Sequence, residues 1–284
     1  MRASLLGVCA ALLGACGGTR PPARPTPTAG PEPTPVVAAP SAPLHYRIRA
    51  PLAYEIERYD SLLYASMPGA PQTTAKWGLL TVRPLPGRSG DLEVRLDSLV
   101  GLEDTRLVAA ALDSSIGSRW QFSLGPTGPK GAILGGRPTI LAGQVEAIAR
   151  LLFPPLPSQG VGITDVWADS TVYRVHLDAF DAYESASRSS TAILGTSGQT
   201  TGVTVEANER LSRTGTAVQA GQPMTLRGAG SRRLRYEFAP EGWVSSMTAR
   251  DSLDLVVTVG VGGEAVRVRW RSTLIGRLRD LPVR

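Results

Sequence analysis

Chemistry in this chain has few places to reside. The 284 residues contain two histidines, His45 and His176, and two cysteines, Cys9 and Cys16. His176-Leu177-Asp178 has the spacing of an oriented general base, with Ser170 or Ser185 as a nucleophile. Nucleophilic hydrolysis needs such a pair within hydrogen-bond reach. The Gly-x-Ser-x-Gly elbow is absent, since Gly195-Thr196-Ser197-Gly198 lacks the spacing. Asp165 and Asp169 flank Trp167, and Asp178, Asp181 and Glu184 form a loose acidic run. None has calcium-loop spacing, so turn and solvation roles are expected, with no metal and no cofactor. Gly125-Pro-Thr-Gly-Pro-Lys-Gly131 is too irregular for a phosphate loop, because a proline removes an amide donor and no Ser or Thr follows Lys130. It is expected to be a hairpin turn. Arg267, Arg269 and Arg271 share one phase of a strand, and Arg232, Arg233 and Arg235 would extend the stripe if the two strands paired. The stripe could bind anions, although a solvated outer face accounts for it as well.

The most specific signal lies at the start of the sequence. Met1-Arg2 precedes an uncharged run, Leu5–Ala15. As a helix, eleven residues reach about 16 Å, too short for a bilayer core of about 30 Å. A positive end, a short apolar core and small exit residues describe an export signal. Leu13-Gly14-Ala15-Cys16 resembles the lipobox of bacterial lipoprotein precursors: an aliphatic residue, two small residues, then cysteine. That resemblance implies lipidation of Cys16, cleavage before it, and membrane attachment through the acyl chains (palmitate among them); several chains anchor where one binds only marginally. Gly17, rather than aspartate, follows the cysteine. In lipoproteins of this kind that points to the outer membrane, facing the periplasm.

Residues 17–43 contain nine prolines and no aromatic residue. Such a segment favours polyproline II over a packed core and would reach about 80 Å at about 3.1 Å per residue. The expected organisation is therefore a signal peptide (1–15), a lipidated cysteine with a Pro-rich disordered tether (16–43), and a β-rich domain (44–284). Cys9 would leave with the signal, so disulfides are excluded. The 30 basic residues, 28 of them Arg, exceed the 24 acidic ones, giving a net charge of +6. For an exported, lipidated chain this does not imply nucleic acid, and acidic residues are spread throughout.

Period-two alternation dominates the domain and must position any site. From Leu44 to Glu57, Leu44, Tyr46, Ile48, Leu52, Tyr54 and Ile56 alternate with mostly polar residues. This predicts a long half-buried strand, bent or at a sheet edge near Pro51. Both histidines fall on the polar phase of their predicted strands. Alternation returns at Leu92–Leu96, Trp120–Leu124, Tyr173–Leu177, Val203–Ala207, Leu234–Phe238, Leu253–Val257 and Val266–Trp270. One helix is predicted at about 139–153, capped by Thr139, with Leu141, Val145, Ile148 and Leu152 on one face, and stopped by Pro154-Pro155. A weaker helix candidate spans 104–112. Arg119–Gly128 and Arg235–Gly242 each place alternating aromatics before a glycine turn. Two similar halves meeting near Pro157 would explain this, as would two generic hairpins.

The expected fold is mainly β: an antiparallel, curved sheet or half-barrel of two meanders with one central helix. The layout resembles β-rich bacterial envelope lipoproteins, and periplasmic lipoprotein carriers share the general shape. The expected function is a membrane-anchored, non-enzymatic binding or structural module of the envelope, with a membrane and an envelope protein or lipid as partners. The alternative is a carrier or sensor of lipid or another hydrophobic ligand, with Tyr46, Ile48, Leu52 and Tyr54 facing that ligand. A hydrolase centred on His176 is the third reading.

Overall fold

The alternating runs form eleven antiparallel strands in a single sheet in the computed structural model. It describes residues 43–65, 69–88, 90–101, 114–135, 140–177, 180–197, 200–260, 263 and 265–279. The first meander comprises β1 (Leu52–Tyr64), β2 (Gln72–Pro84), β3 (Asp91–Gly101), β4 (Arg119–Gly125) and β5 (Gly128–Gly135). Helix α1 (Ile140–Leu152) follows. The second meander comprises β6 (Val166–Leu177), β7 (Phe180–Ser197), β8 (Thr200–Gln219), β9 (Gln222–Phe238), β10 (Val244–Val259) and β11 (Ala265–Arg279). Spatial order is β5-β4-β3-β2-β1-β11-β10-β9-β8-β7-β6, so pairing of β1 with β11 joins the meanders. β5 and β6 are the two edges, and the sheet is not closed into a barrel.

Local chemistry explains the turns. Ala220 and Gly221 both have positive φ, 49° and 76°, between Gln219 and Gln222, the last paired residues of β8 and β9. Positive φ at both central residues is the signature of the two-residue turn whose twist matches that of paired strands. Gly125–Gly131 is the β4–β5 hairpin, with Gly125 paired to Gly128, as its sequence indicates. The candidate helix 104–112 and the cap Thr139 lie outside the described residues, as do residues 1–42.

The sheet is curled. Phe122 on β4, Phe153 after α1, Tyr46 and Phe238 on β9 form a run of ring contacts with centroid steps of 5.4, 6.0 and 6.0 Å. In a flat sheet, strands six places apart would be separated by about 29 Å. Residues of β3, β4, β7, β8 and β9 therefore share one core with α1. Ile148, Ala149 and Leu152 of the helix are buried in it. Gly276 of β11 lets the helix approach: a Cβ there would stand 3.4 Å from a Leu152 methyl and 3.1 Å from Met247.

The chain around Leu44–Pro51 departs from the sequence expectation. Strand β1 starts at Leu52, and it is central, between β2 and β11, rather than at an edge. Pro51 has no N–H to give a ladder and stands just before the strand, where none is needed. Upstream, the Tyr46 and Arg47 amides bond the carbonyls of Pro126 and Gly242, and Leu44 pairs with Val161. This segment ties the β4–β5 turn, the β9–β10 turn and the approach to β6 together, closing one end of the curled sheet. His45 thus lies outside any strand, with Nδ1 buried and unpartnered.

Candidate functional site

The inner face is apolar at the closed end and charged at mid-height. Register sets Asp169, Arg188, Glu209, Arg232, Asp251, Ser272 and Asp60 side by side on β6, β7, β8, β9, β10, β11 and β1. An adjacent row holds Tyr173, Glu184 and Arg213, opposite Gly228. These are buried positions: Glu184, Glu209, Arg213 and Arg232 are between 0 and 5 % exposed.

Arg232 is the hub. Its Nε and Nη2 donate to the Asp251 carboxylate at 2.8 and 2.9 Å, and Nη2 also reaches Glu184 at 3.1 Å. Its Nη1 donates to Glu209 and to the Tyr173 hydroxyl, both at 3.1 Å. The Tyr173 hydroxyl in turn donates a short hydrogen bond to Glu184. Arg188 donates to Glu209 at 2.6 Å, and Arg213 donates to Glu184 through Nε at 3.0 Å and through Nη2. From Arg188 to Asp251 the signs alternate along the row and each charge pairs with the next, the cross-strand arrangement that sheets favour.

Burial pushes the Glu184 carboxyl up, but the fields of Arg232 and Arg213, with hydrogen bonds from Tyr173 and Arg213, bring it below the usual range. Asp169 behaves oppositely. Burial and the charge of Glu209 raise it against the pull of Arg188, and its Oδ2 has no partner. A carboxyl raised in the folded state contributes stability below its unfolded pKa and loses it as pH rises through the folded value. Asp169→Asn is therefore expected to stabilise the fold at pH 7, by about 0.5–1 kcal/mol because solvent screens this half-buried group, with the gain vanishing near pH 3. Urea midpoints at the two pH values check this; a variant less stable at pH 7 refutes it.

Between the belt and α1 lies a cavity of about 320 Å³. Ala147, Ile148, Leu151 and Phe153 supply an apolar wall; Arg58, Arg150, Arg188, Arg213, Arg232, Glu184 and Asp251 supply a charged one. It reaches solvent along β6, where Thr171 and Val172 are exposed. Trp270 stands between the arginines: Arg213 lies 4.8 Å and Arg58 5.8 Å from its ring centroid. In a flat sheet, three strand steps would separate Arg213 from Trp270 by about 14 Å. Curvature shortens the distance, and Gly228 and Gly230 on the intervening β9 leave the floor clear of side chains. A Cβ on Gly230 would clash with the Ser252 carbonyl. Trp270 Nε1 donates to Asp60 at 3.0 Å, and Arg58 grips the same carboxylate with two bonds.

The residues singled out from sequence fall elsewhere, with few exceptions. Tyr46, Leu52 and Tyr54 are packed in the core, Ile48 lies against it, and none lines the cavity. The Tyr54 hydroxyl bonds the Val244 carbonyl and that of Tyr46 bonds Pro154. Arg267, Arg269 and Arg271 are exposed on the outer face, where Arg269 pairs with Asp254. The stripe with β9 does not form, because β10 lies between β9 and β11 and Arg232 points inward while Arg233 and Arg235 point out. His176 is opposite Asp181 in register, whereas Ser185 is opposite Val172 and Ser170 opposite Ser187. The nearer serine is thus four strand positions away, about 13 Å at about 3.3 Å per residue, so the register sets neither serine beside His176. Asp165 caps its turn by accepting from the Gly162 amide at 2.7 Å. Asp178 lies outside the described residues, and Asp181 is exposed and paired with Arg174. Among the described residues there is no group of three or more His, Cys, Asp or Glu able to hold a metal.

Asp169 and Glu184 are corrections to the solvation role expected for them: both are part of the inner belt. A signal for the belt was present. Charged residues interrupt the apolar phase of successive strands, as Glu184 and Arg188 do among Ala182, Ala186 and Ala192, and Glu209 and Arg213 do among Val205, Ala207 and Leu211. No protein-family model matches the chain, and no curated protein matches it.

Proposed function

We propose that this chain is a lipid-anchored protein of the bacterial envelope whose β domain is a non-enzymatic binding module, taking a small amphiphilic ligand between α1 and the charged belt. The observation that carries this reading is the cavity with one apolar and one arginine-rich wall. Ligand sites are typically concave, mostly apolar and fitted with a few placed polar groups, and about 300–1,000 Å³ in volume. The belt carboxylates Glu184, Glu209 and Asp251 are each engaged by arginine, which suits holding a ligand rather than turning one over. The anchor rests on the lipobox-like Leu13–Cys16. Among the described residues no helix is long and apolar enough to cross a membrane. A lipid or hydrophobic-ligand carrier is the form of this reading favoured by the apolar wall.

Two readouts test it. The unaltered chain should take up labelled fatty acid in cells, and Cys16→Ala should abolish that label. The Cys16→Ala chain, purified without detergent, should show in native mass spectra a stoichiometric mass that organic extraction removes. Undiminished labelling of the variant would sink the anchor. A clean mass before extraction would leave a structural module.

A further inference from the structure

We infer that the cavity's ligand carries an oxyanion, a carboxylate or phosphate, and that Arg213 receives it; this rests on the binding reading and names the chemistry of that ligand. The Arg213 side chain is 3 % exposed. Its Nε and Nη2 both go to one oxygen of Glu184, while Nη1 is buried without a protein acceptor. An unsatisfied buried donor costs about 1–3 kcal/mol, more when charged. The neighbouring Arg232 has acceptors for all three nitrogens, so a surplus donor is not common to every buried arginine of the belt. Arg188, on the same cavity, also has a buried Nη1 without a partner.

Position adds to this. Stacking on Trp270 and the grip of Glu184 together hold the guanidinium in one plane, and a fixed fork is the group best suited to carboxylate or phosphate oxygens. Five guanidinium groups but only two carboxylates line the cavity. Asp60, Glu146 and Glu209 engage Arg58, Arg150 and Arg188 from behind its wall. An anion entering from β6 therefore meets guanidinium donors, the unfilled Nη1 groups of Arg213 and Arg188 among them, while Ile148 and Leu151 offer an apolar surface for a hydrocarbon body. A fatty acid or alkyl phosphate satisfies both walls. Free phosphate satisfies only the charged one.

Isothermal titration of the full chain bearing Cys16→Ala separates these sources. Decanoate, decyl phosphate, decan-1-ol and inorganic phosphate are the probes, applied to that chain with and without Arg213→Lys. Lysine keeps a charge for Glu184 but loses the fork. Decanoate and decyl phosphate should bind at least tenfold more tightly than decan-1-ol, and Arg213→Lys should erase that advantage while the far-UV circular dichroism is retained. The head-group comparison without the lysine change decides the matter even if that variant fails to fold. Tight inorganic phosphate binding that Arg213→Lys weakens tenfold would support the oxyanion site and assign it to small anions. Equal affinity for decanoate and decan-1-ol overturns the inference and leaves the binding reading standing. Silence from all four probes, with a clean native mass, overturns both.

Discussion

Arg232→Ala should lower the free energy of unfolding by about 3–5 kcal/mol, the loss typical of removing one partner from a buried ion network. The reason lies in what is left behind. Arg232 is 5 % exposed and the shared partner of Glu184, Glu209 and Asp251. Without it Glu209 keeps Arg188 and Glu184 keeps Arg213, but Asp251 loses both of its bonds from this guanidinium. Three carboxylates then stand close together with two cations remaining. Desolvation that the hub's charge offset becomes uncompensated, which is why truncation costs far more than the net value of the intact pairs. The loss should depend on pH in a defined direction. Glu184 is held below the usual carboxylate range in the folded protein, so its contribution is present above its unfolded pKa and disappears as pH falls through the folded value. The difference between the parent chain and Arg232→Ala should therefore be largest near neutrality and shrink in acid. Urea unfolding at pH 7 and pH 3 measures both; a deficit under 1 kcal/mol at pH 7 would mean that the belt is not the buried network described.

Phe153→Ala should cost a similar amount, about 3–5 kcal/mol as for other buried aromatics cut to alanine, for an unrelated reason. Phe153 is 1 % exposed and touches Phe122 of β4 and Tyr46 of the closing segment, edge-on in the second case. Its ring joins parts of the sheet that register alone would keep apart. Truncation opens a void that a curled sheet tied by backbone bonds at Pro126 and Gly242 cannot easily collapse, and the void merges with the cavity that Phe153 lines. Phe153→Leu should recover more than half of the loss, since most of the buried hydrocarbon returns. Denaturant midpoints for both variants provide the check. A Phe153→Ala protein within 1 kcal/mol of the parent would show that the closed end is not held by this ring cluster.

The two effects act at different levels of the curled sheet. One resides in polar satisfaction at mid-height, the other in packing at the closed end. Between them lies the cavity, whose walls are taken from each. Substitutions confined to the outer arginines, such as Arg269 with its exposed partner Asp254, fall in the class of surface pairs worth about 0–1 kcal/mol.

Much of the architecture was determined by sequence alone. Period-two alternation specifies strands because successive side chains point to opposite faces, and that rule recovered the mainly β character from Leu92–Leu96 through Val266–Trp270. The helix was legible for the complementary reason: Ile148 and Leu152 share a face at helical spacing, and Pro154-Pro155 cannot continue it. Tertiary structure decided the rest. Leu44–Ile56 alternates throughout, yet only its second part is strand, because the amides of Tyr46 and Arg47 find acceptors in turns distant in sequence. The arginine stripe on β9 and β11 depended on adjacency, and adjacency is set by which strands pair, not by their patterns. The belt depended on register. Glu184, Arg213 and Arg232 are far apart along the chain and each alone reads as a flaw in an apolar phase; only the alignment of β7, β8 and β9 makes each the other's partner. Alternation is a local property, written in neighbouring residues, whereas pairing, register and curvature are relations between segments, and the site is made of those relations.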